Sequence, residues 1–227
     1  MKEIKFKLFS LARSAKMNRA VSYSILSKLW SFIAGPINAM LIAFIFTPEI
    51  QGFYYTFGSL LALQTFAELG LGRAITQFAS HEWANLSIGK DNRIVGNPIS
   101  LSKLASIARI AVKWYFISAV ILTIGLSIGG YIFFSKSSVH DINWRLPWIF
   151  LCFFTGINLF TVAIWSILEG CNQVSNVYYF RFFRGLVVSI STWTAILLYA
   201  NLWTASIMTV AGLIYSVFFL SRNYFEF

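Results

Sequence analysis

Six apolar runs, each near the roughly 20 residues a helix needs to cross a hydrocarbon core, constrain this chain more than any other feature. They are Leu29–Phe46, Phe53–Phe78, Ile110–Phe134, Leu146–Leu168, Val177–Tyr199 and Leu202–Leu220. Apolar residues fill each run instead of alternating with polar ones, so helices are expected rather than barrel strands. Only 11% of the residues are charged and 58% are hydrophobic, against roughly 25% charged in ordinary soluble domains. A soluble fold of this size has too little interior for that apolar surface, and lipid is the solvent that fits. The sequence therefore predicts an all-α polytopic membrane protein, a bundle of about six transmembrane helices. A basic tail at 1–20, a six-helix lobe at 21–220 and a short end at 221–227 divide the chain.

The net charge of +10 is distributed between long apolar runs, not gathered on a soluble surface. That pattern suits anionic lipid headgroups and gives no reason to expect nucleic acid as a partner. Lys2, Lys5, Lys7, Arg13, Lys16 and Arg19 lie in the tail, and Lys90, Arg93, Lys103 and Arg109 follow the second run. The loops of the opposite side carry only Lys136 and Arg145. Ten against two predicts that both termini are cytoplasmic. Ser102, Ser106, Arg109 and Lys113 share one helical face, which predicts a short interfacial helix before the third span. Gly125 and Gly129 have the GxxxG spacing that marks close helix packing.

Polar groups inside the runs are the candidate functional residues, because lipid cannot satisfy them. Ser24, Lys28, Ser31, Gly35 and Asn38 fall within a wedge of about 80° on the first helix, which Pro36 is expected to kink. Either this stripe faces a hydrated cavity, or Lys28 snorkels while the small residues pack. Glu68 and Arg73 lie in the second run, about 140° apart around an ideal helix, with Gly70 and Gly72 between them. They reach different neighbours or meet across a local break, and interior placement is expected for both. Arg181 and Arg184 share a face of the fifth run with Ser191. That run's eleven Leu, Ile, Val and Phe residues supply roughly 3–7 kcal/mol of insertion energy, and two central arginines cost roughly 5–7. Either the helix starts later, near Gly185, or the pair enters a wet, protein-lined space.

Catalytic signatures are absent from the sequence. "HEW" lacks the second histidine of a zinc-protease helix, and no P-loop, dinucleotide fingerprint or Gly-x-Ser-x-Gly elbow occurs. Cys152 and Cys171 have no metal-ligand spacing. The expectation is a protein without enzymatic activity, cofactor or metal.

The segment "LIAFIFTPEIQGFYYTFGSLLALQTFAELGLGRAITQFAS" resembles the connection of the first two spans in polysaccharide flippases. These belong to the multidrug/oligosaccharidyl-lipid/polysaccharide exporter superfamily and include Wzx-type O-antigen flippases. The resemblance rests on Pro48-Glu49, on Gly52-Phe53-Tyr54 and on the run Glu68–Leu71. "SILEGCNQVSNVYYFRFF" is similar to the family's connection of spans four and five, with Gly170 at the turn. The resemblance covers Val21 to Leu220 and one lobe of a two-lobe exporter.

It implies movement of an undecaprenyl-pyrophosphate-linked oligosaccharide across a bacterial inner membrane by alternating access. Cationic cavity residues would hold the pyrophosphate or acidic sugars, a role open to Lys28, Arg73, Arg181 and Arg184, with Asn38 and Glu68 alongside. The implied partners are lipid-linked oligosaccharide, membrane lipids, and a second lobe or a homo-oligomer that completes a half-length transporter. A transport-inactive membrane scaffold is one rival. A drug/cation exporter of the same superfamily is another, disfavoured because Glu68 is the only carboxylate well inside a run.

Overall fold

The structure is a computed structural model that describes residues 2–68, 70–89, 94–136 and 142–224, with the backbone alone for 2–18 and Ala67. Lys90 and Arg93 of the basic loop, and residues 137–141 and 225–227, lie outside the described residues. The helices are α1 (Lys2–Ile45), α2 (Pro48–Leu61), α3 (Gln64–Glu68), α4 (Leu71–Trp83), α5 (Pro98–Ser135), α6 (Arg145–Gly170), α7 (Val174–Leu197) and α8 (Trp203–Tyr224). A two-stranded antiparallel ribbon, β1 (Leu86–Ile88) with β2 (Ile94–Gly96), precedes α5.

Local chemistry sets the helix ends. Proline restricts the residue before it, and α1 stops ahead of Thr47-Pro48. Gln51 Nε2 donates to Phe46 O at 3.0 Å and to Ala43 O at 3.4 Å, satisfying carbonyls that the end of α1 leaves free. Asn97 Oδ1 accepts from Ile99 N at 2.9 Å, and Pro98 follows at the first helical position of α5. Asn172, with φ 60°, takes the left-handed position after α6, and Gln173 N returns to Leu168 O at 3.0 Å. The turn therefore belongs to Asn172. Gly170 is the last residue of α6, and a Cβ there would run into Ala79 and the backbone of Thr76 on α4.

Five helices, beginning with α1 from Arg19 and continuing with α5, α6, α7 and α8, are long and apolar enough to cross a membrane. The second predicted span differs from expectation: it is broken into α2, α3 and α4. The first break is closed by three-residue bonds, Leu63 N to Leu60 O, Thr65 N to Ala62 O and Phe66 N to Leu63 O. At the second, Gly70 adopts φ 71°, a left-handed conformation that glycine enters without a Cβ penalty.

The broken segment still runs from one end of the bundle to the other. Phe53 and Phe57 of α2 pack on Phe134 at the end of α5, and Phe57 also packs on Trp148 near the start of α6. Gly72 of α4 faces Tyr115 midway along α5 and Ser166 late in α6. Tyr115 and Phe134 are 19 residues apart on one helix, about 28 Å, close to the roughly 30 Å of a hydrocarbon core.

Six passes put the first and last helices in register. Tyr23 of α1 meets Tyr179 of α7 edge-on at 5.1 Å, and Trp30 Nε1 donates to Ser189 Oγ at 3.1 Å, so α1 and α7 run parallel. Tyr179 also packs on Phe219 near the end of α8. The N-terminal part of α1 and the end of α8 therefore share one face of the bundle. The third span and its expected interfacial helix are one continuous helix, α5, whose 38 residues extend about 57 Å and outreach the hydrocarbon core.

Aromatic packing holds the face opposite the chain ends together. Trp148 is fully buried among Phe57, Phe134 and Leu151, and its indole donates to Leu126 O at 3.2 Å. Gly130 makes room for that ring, since any Cβ there would overlap it. Gly125 and Gly129 face open space, so this GxxxG pair takes no part in packing within the chain. Outside the seams, large apolar side chains point outward, with Phe32 and Phe44 80% and 81% exposed, as a lipid-facing surface requires.

Gly130→Ala is expected to cost about 1–3 kcal/mol through overpacking against Trp148. Gly125→Ala is expected to leave stability unchanged or slightly raised. Thermal unfolding of the two variants in the same detergent checks the contrast; equal midpoints would contradict it.

Candidate functional site

Helices α6, α7 and α8 meet around one cation. Arg184, in the third turn of α7, is half-buried between these helices, and its Nη2 donates to Asn158 Oδ1 of α6 at 3.3 Å. The Asn158 amide is itself fixed, its Nδ2 donating to Phe154 O at 3.1 Å and to Thr209 O of α8 at 3.2 Å. Gly212 of α8 supplies the floor: a Cβ there would lie 2.9 Å from Arg184 Nη2 and 3.1 Å from Val188 Cγ2. The Asn158 amide and the bare backbone of Gly212 thus seat a guanidinium inside an apolar bundle. A guanidinium presents five donors, and Asn158 accepts one of the bonds they offer.

Among the described residues, no carboxylate pairs with Arg184. The ion pairs there are Arg181–Glu169, Lys103–Glu82 and His81–Glu82. A half-buried cation among apolar helices without a counter-charge is costly and favours any anion that reaches it. Its free donors suit the oxygens of a phosphate or carboxylate.

The neighbouring arginine has a different fate. Arg181 is exposed, holds Glu169 Oε2 at 2.7 Å, and lies over the Tyr178 ring with its Cζ 5.1 Å from the centroid. Three residues of helix therefore separate a neutralised arginine from an uncompensated one. Both lie inside α7, which starts at Val174 and not near Gly185. The insertion penalty is reduced because Arg181 sits near the helix end with its own counter-ion.

Glu68 and Arg73 do not pair. Glu68 is half-buried at the end of α3, accepts from Gln64 Nε2 at 3.1 Å, and lies within electrostatic range of the Tyr115 hydroxyl. That hydroxyl is buried with no hydrogen-bond partner and faces the Gly72 backbone at the break. Arg73 is exposed, which corrects the expectation of interior placement. The packed face of α4 is Gly72, Ile75, Thr76 and Ala79, with Thr76 Oγ1 donating to Ser166 O at 3.0 Å. Arg73 stands about 100° from that face.

Lys28 is likewise exposed, as are Ser31 and Gly35, while Ser24 and Asn38 are half-buried. The stripe on α1 thus borders the face that packs on α7 and stays open to the outside. Asn38 sits beside Tyr54, and its Oδ1 is buried without a hydrogen-bond partner. Lys28, Arg73 and Arg184 consequently do not converge on one point within the chain. The sequence reading missed Asn158 and Gly212; a lone asparagine in the middle of "FFTGINLF" was the available signal for the first.

No group of His, Cys, Asp and Glu among the described residues is arranged to hold a metal ion. Cys152 and Cys171 are buried and unpaired. No family model, curated protein or solved structure matches the chain.

Gly212→Ala is expected to destabilise the protein by about 1–3 kcal/mol by crowding Arg184 and Val188. Most of that loss should vanish in an Arg184→Ala background, because the added methyl then has space. A double-mutant cycle in thermal unfolding measures the coupling. Additive losses would show that Gly212 does not seat the guanidinium.

Proposed function

We propose that this protein binds and reorients an anionic, lipid-linked oligosaccharide in a bacterial inner membrane, as one lobe of a two-body flippase. The observation that carries the reading is Arg184, half-buried among three helices with an amide partner and no described carboxylate. Such a site selects a diffuse anion of the pyrophosphate kind over a cation, which disfavours a drug/cation exporter. No covalent step is required: the chemistry is capture, exposure to the other face and release.

The open polar stripe of α1 supports a second body. Lys28 is exposed and is costly against bare lipid, and alternating access needs two bodies that rock against each other. A second lobe or a second copy of this chain meets both needs. The excess of Lys and Arg on the face that carries both chain ends supports a cytoplasmic placement for that face. A transport-inactive scaffold is the second reading. It is favoured by the dispersal of Lys28, Arg73 and Arg181, which gather no common anion site within the chain.

Export of surface polysaccharide in a flippase-deficient strain, complemented by this chain with its second lobe, tests the reading. Arg184→Lys is expected to keep partial export, and Arg184→Gln to lose it at unchanged membrane abundance. Arg181→Gln should be the milder change, because Glu169 already occupies that guanidinium. Full export by Arg184→Gln would remove the anion-site reading and leave the scaffold.

A further inference from the structure

Two adjoining concavities form a groove along the outward seam between α5 and α6. Its two parts, about 520 and 430 Å³, share Phe116 and Phe160. Arg109 and Lys113 line one end, and Val120 and Ile124 line the other. These positions recur every three or four residues along α5 and so form one face. Neither cation has a carboxylate partner among the described residues, although Lys103, further toward the N-terminus of α5, pairs with Glu82 at 3.7 Å. Two like charges at i, i+4 repel each other, and an anion between them removes that repulsion.

The dimensions identify the occupant. Arg109 to Ile124 spans 15 residues of helix, about 22 Å. The distance from headgroup to midplane in a bilayer roughly 40–45 Å thick is about 20–22 Å. The cationic end lies on the face that holds both chain ends, and the apolar end lies at the depth of acyl chains. We propose that this groove binds one anionic glycerophospholipid, its phosphate between Arg109 and Lys113 and one acyl chain along Phe116, Phe160 and Val120. This inference does not rest on the transport reading, because it concerns a different seam of the bundle from Arg184.

Native mass spectrometry of the full chain in mild detergent, with phosphatidylglycerol and phosphatidylcholine in equimolar competition, tests it. One phosphatidylglycerol per chain should be retained in preference to phosphatidylcholine. The double change Arg109→Gln, Lys113→Gln should cut that preference by about 30-fold, the equivalent of two cationic contacts with an anionic headgroup. The conservative pair Arg109→Lys, Lys113→Arg should retain it, which separates loss of charge from loss of fold. Val120→Trp, at an exposed position that fills the groove, should expel lipid of either headgroup while leaving the unfolding midpoint in lipid-free detergent unchanged. Equal retention of the two lipids, an unchanged preference in the double glutamine variant, or full occupancy with Val120→Trp would overturn the proposal. A lipid-free dimer would overturn it too, by placing a second copy in the groove.

Discussion

Backbone amides and carbonyls inside a hydrocarbon core must find partners within the protein, since each unsatisfied group costs several kcal/mol there. A helix meets this requirement alone; a broken segment does so only when it is packed. The α2–α3–α4 passage obeys that rule. Its first break is stitched by three-residue bonds, and its second lies against α5 and α6, where Gly72 faces Tyr115 and Ser166. The order of the bundle follows, because α5 and α6 cover this passage on one side while α7 and α8 close the other side of α6.

The same requirement explains where the polar side chains went. Thr76 donates to a carbonyl of α6, Ser206 of α8 donates to Pro147 O at 2.9 Å, and Asn158 ties α6 to α8. These are interhelical contacts of the kind that hold membrane bundles together when burial of apolar surface gives no net drive. Arg184 differs from them in bringing a charge that its neighbours do not cancel. Its cost has to be offset by packing elsewhere, and Phe180, one helical turn away on α7, stacks on Trp165 of α6 with centroids 3.6 Å apart. Strain of this kind is commonly retained where a ligand completes the site.

Much of the fold was legible in the sequence because the bilayer fixes helix length and forbids open backbone. Five continuous crossings follow from the apolar runs alone, and the all-α bundle with them. The break at Gly70 was visible only as two glycines flanked by charges; its position depends on how α4 meets α5 and α6, which is tertiary information. The charged residues were harder to read for the same reason. Spacing placed Arg181 and Arg184 on one face, yet Glu169 reaches only the first of them. Periodicity flagged Lys28 and Arg73 as unusual within apolar runs, but which neighbour each helix turns toward decides whether such a residue is enclosed or open. Gly170 and Gly130 carry the close approaches that the Gly125–Gly129 spacing suggested for another position.

The account turns on the broken segment making a full crossing. Single cysteines at Glu49, in the first turn of α2, and at Ser102, in the first turns of α5 after the ribbon, report on that directly in a background without Cys152 and Cys171. Both positions are exposed, and both native cysteines are buried. With a membrane-impermeant maleimide, Glu49→Cys should be labelled in intact cells, and Ser102→Cys only after the membrane is opened. Labelling of both from the same side would make α2–α4 a re-entrant segment and contradict the six-pass bundle.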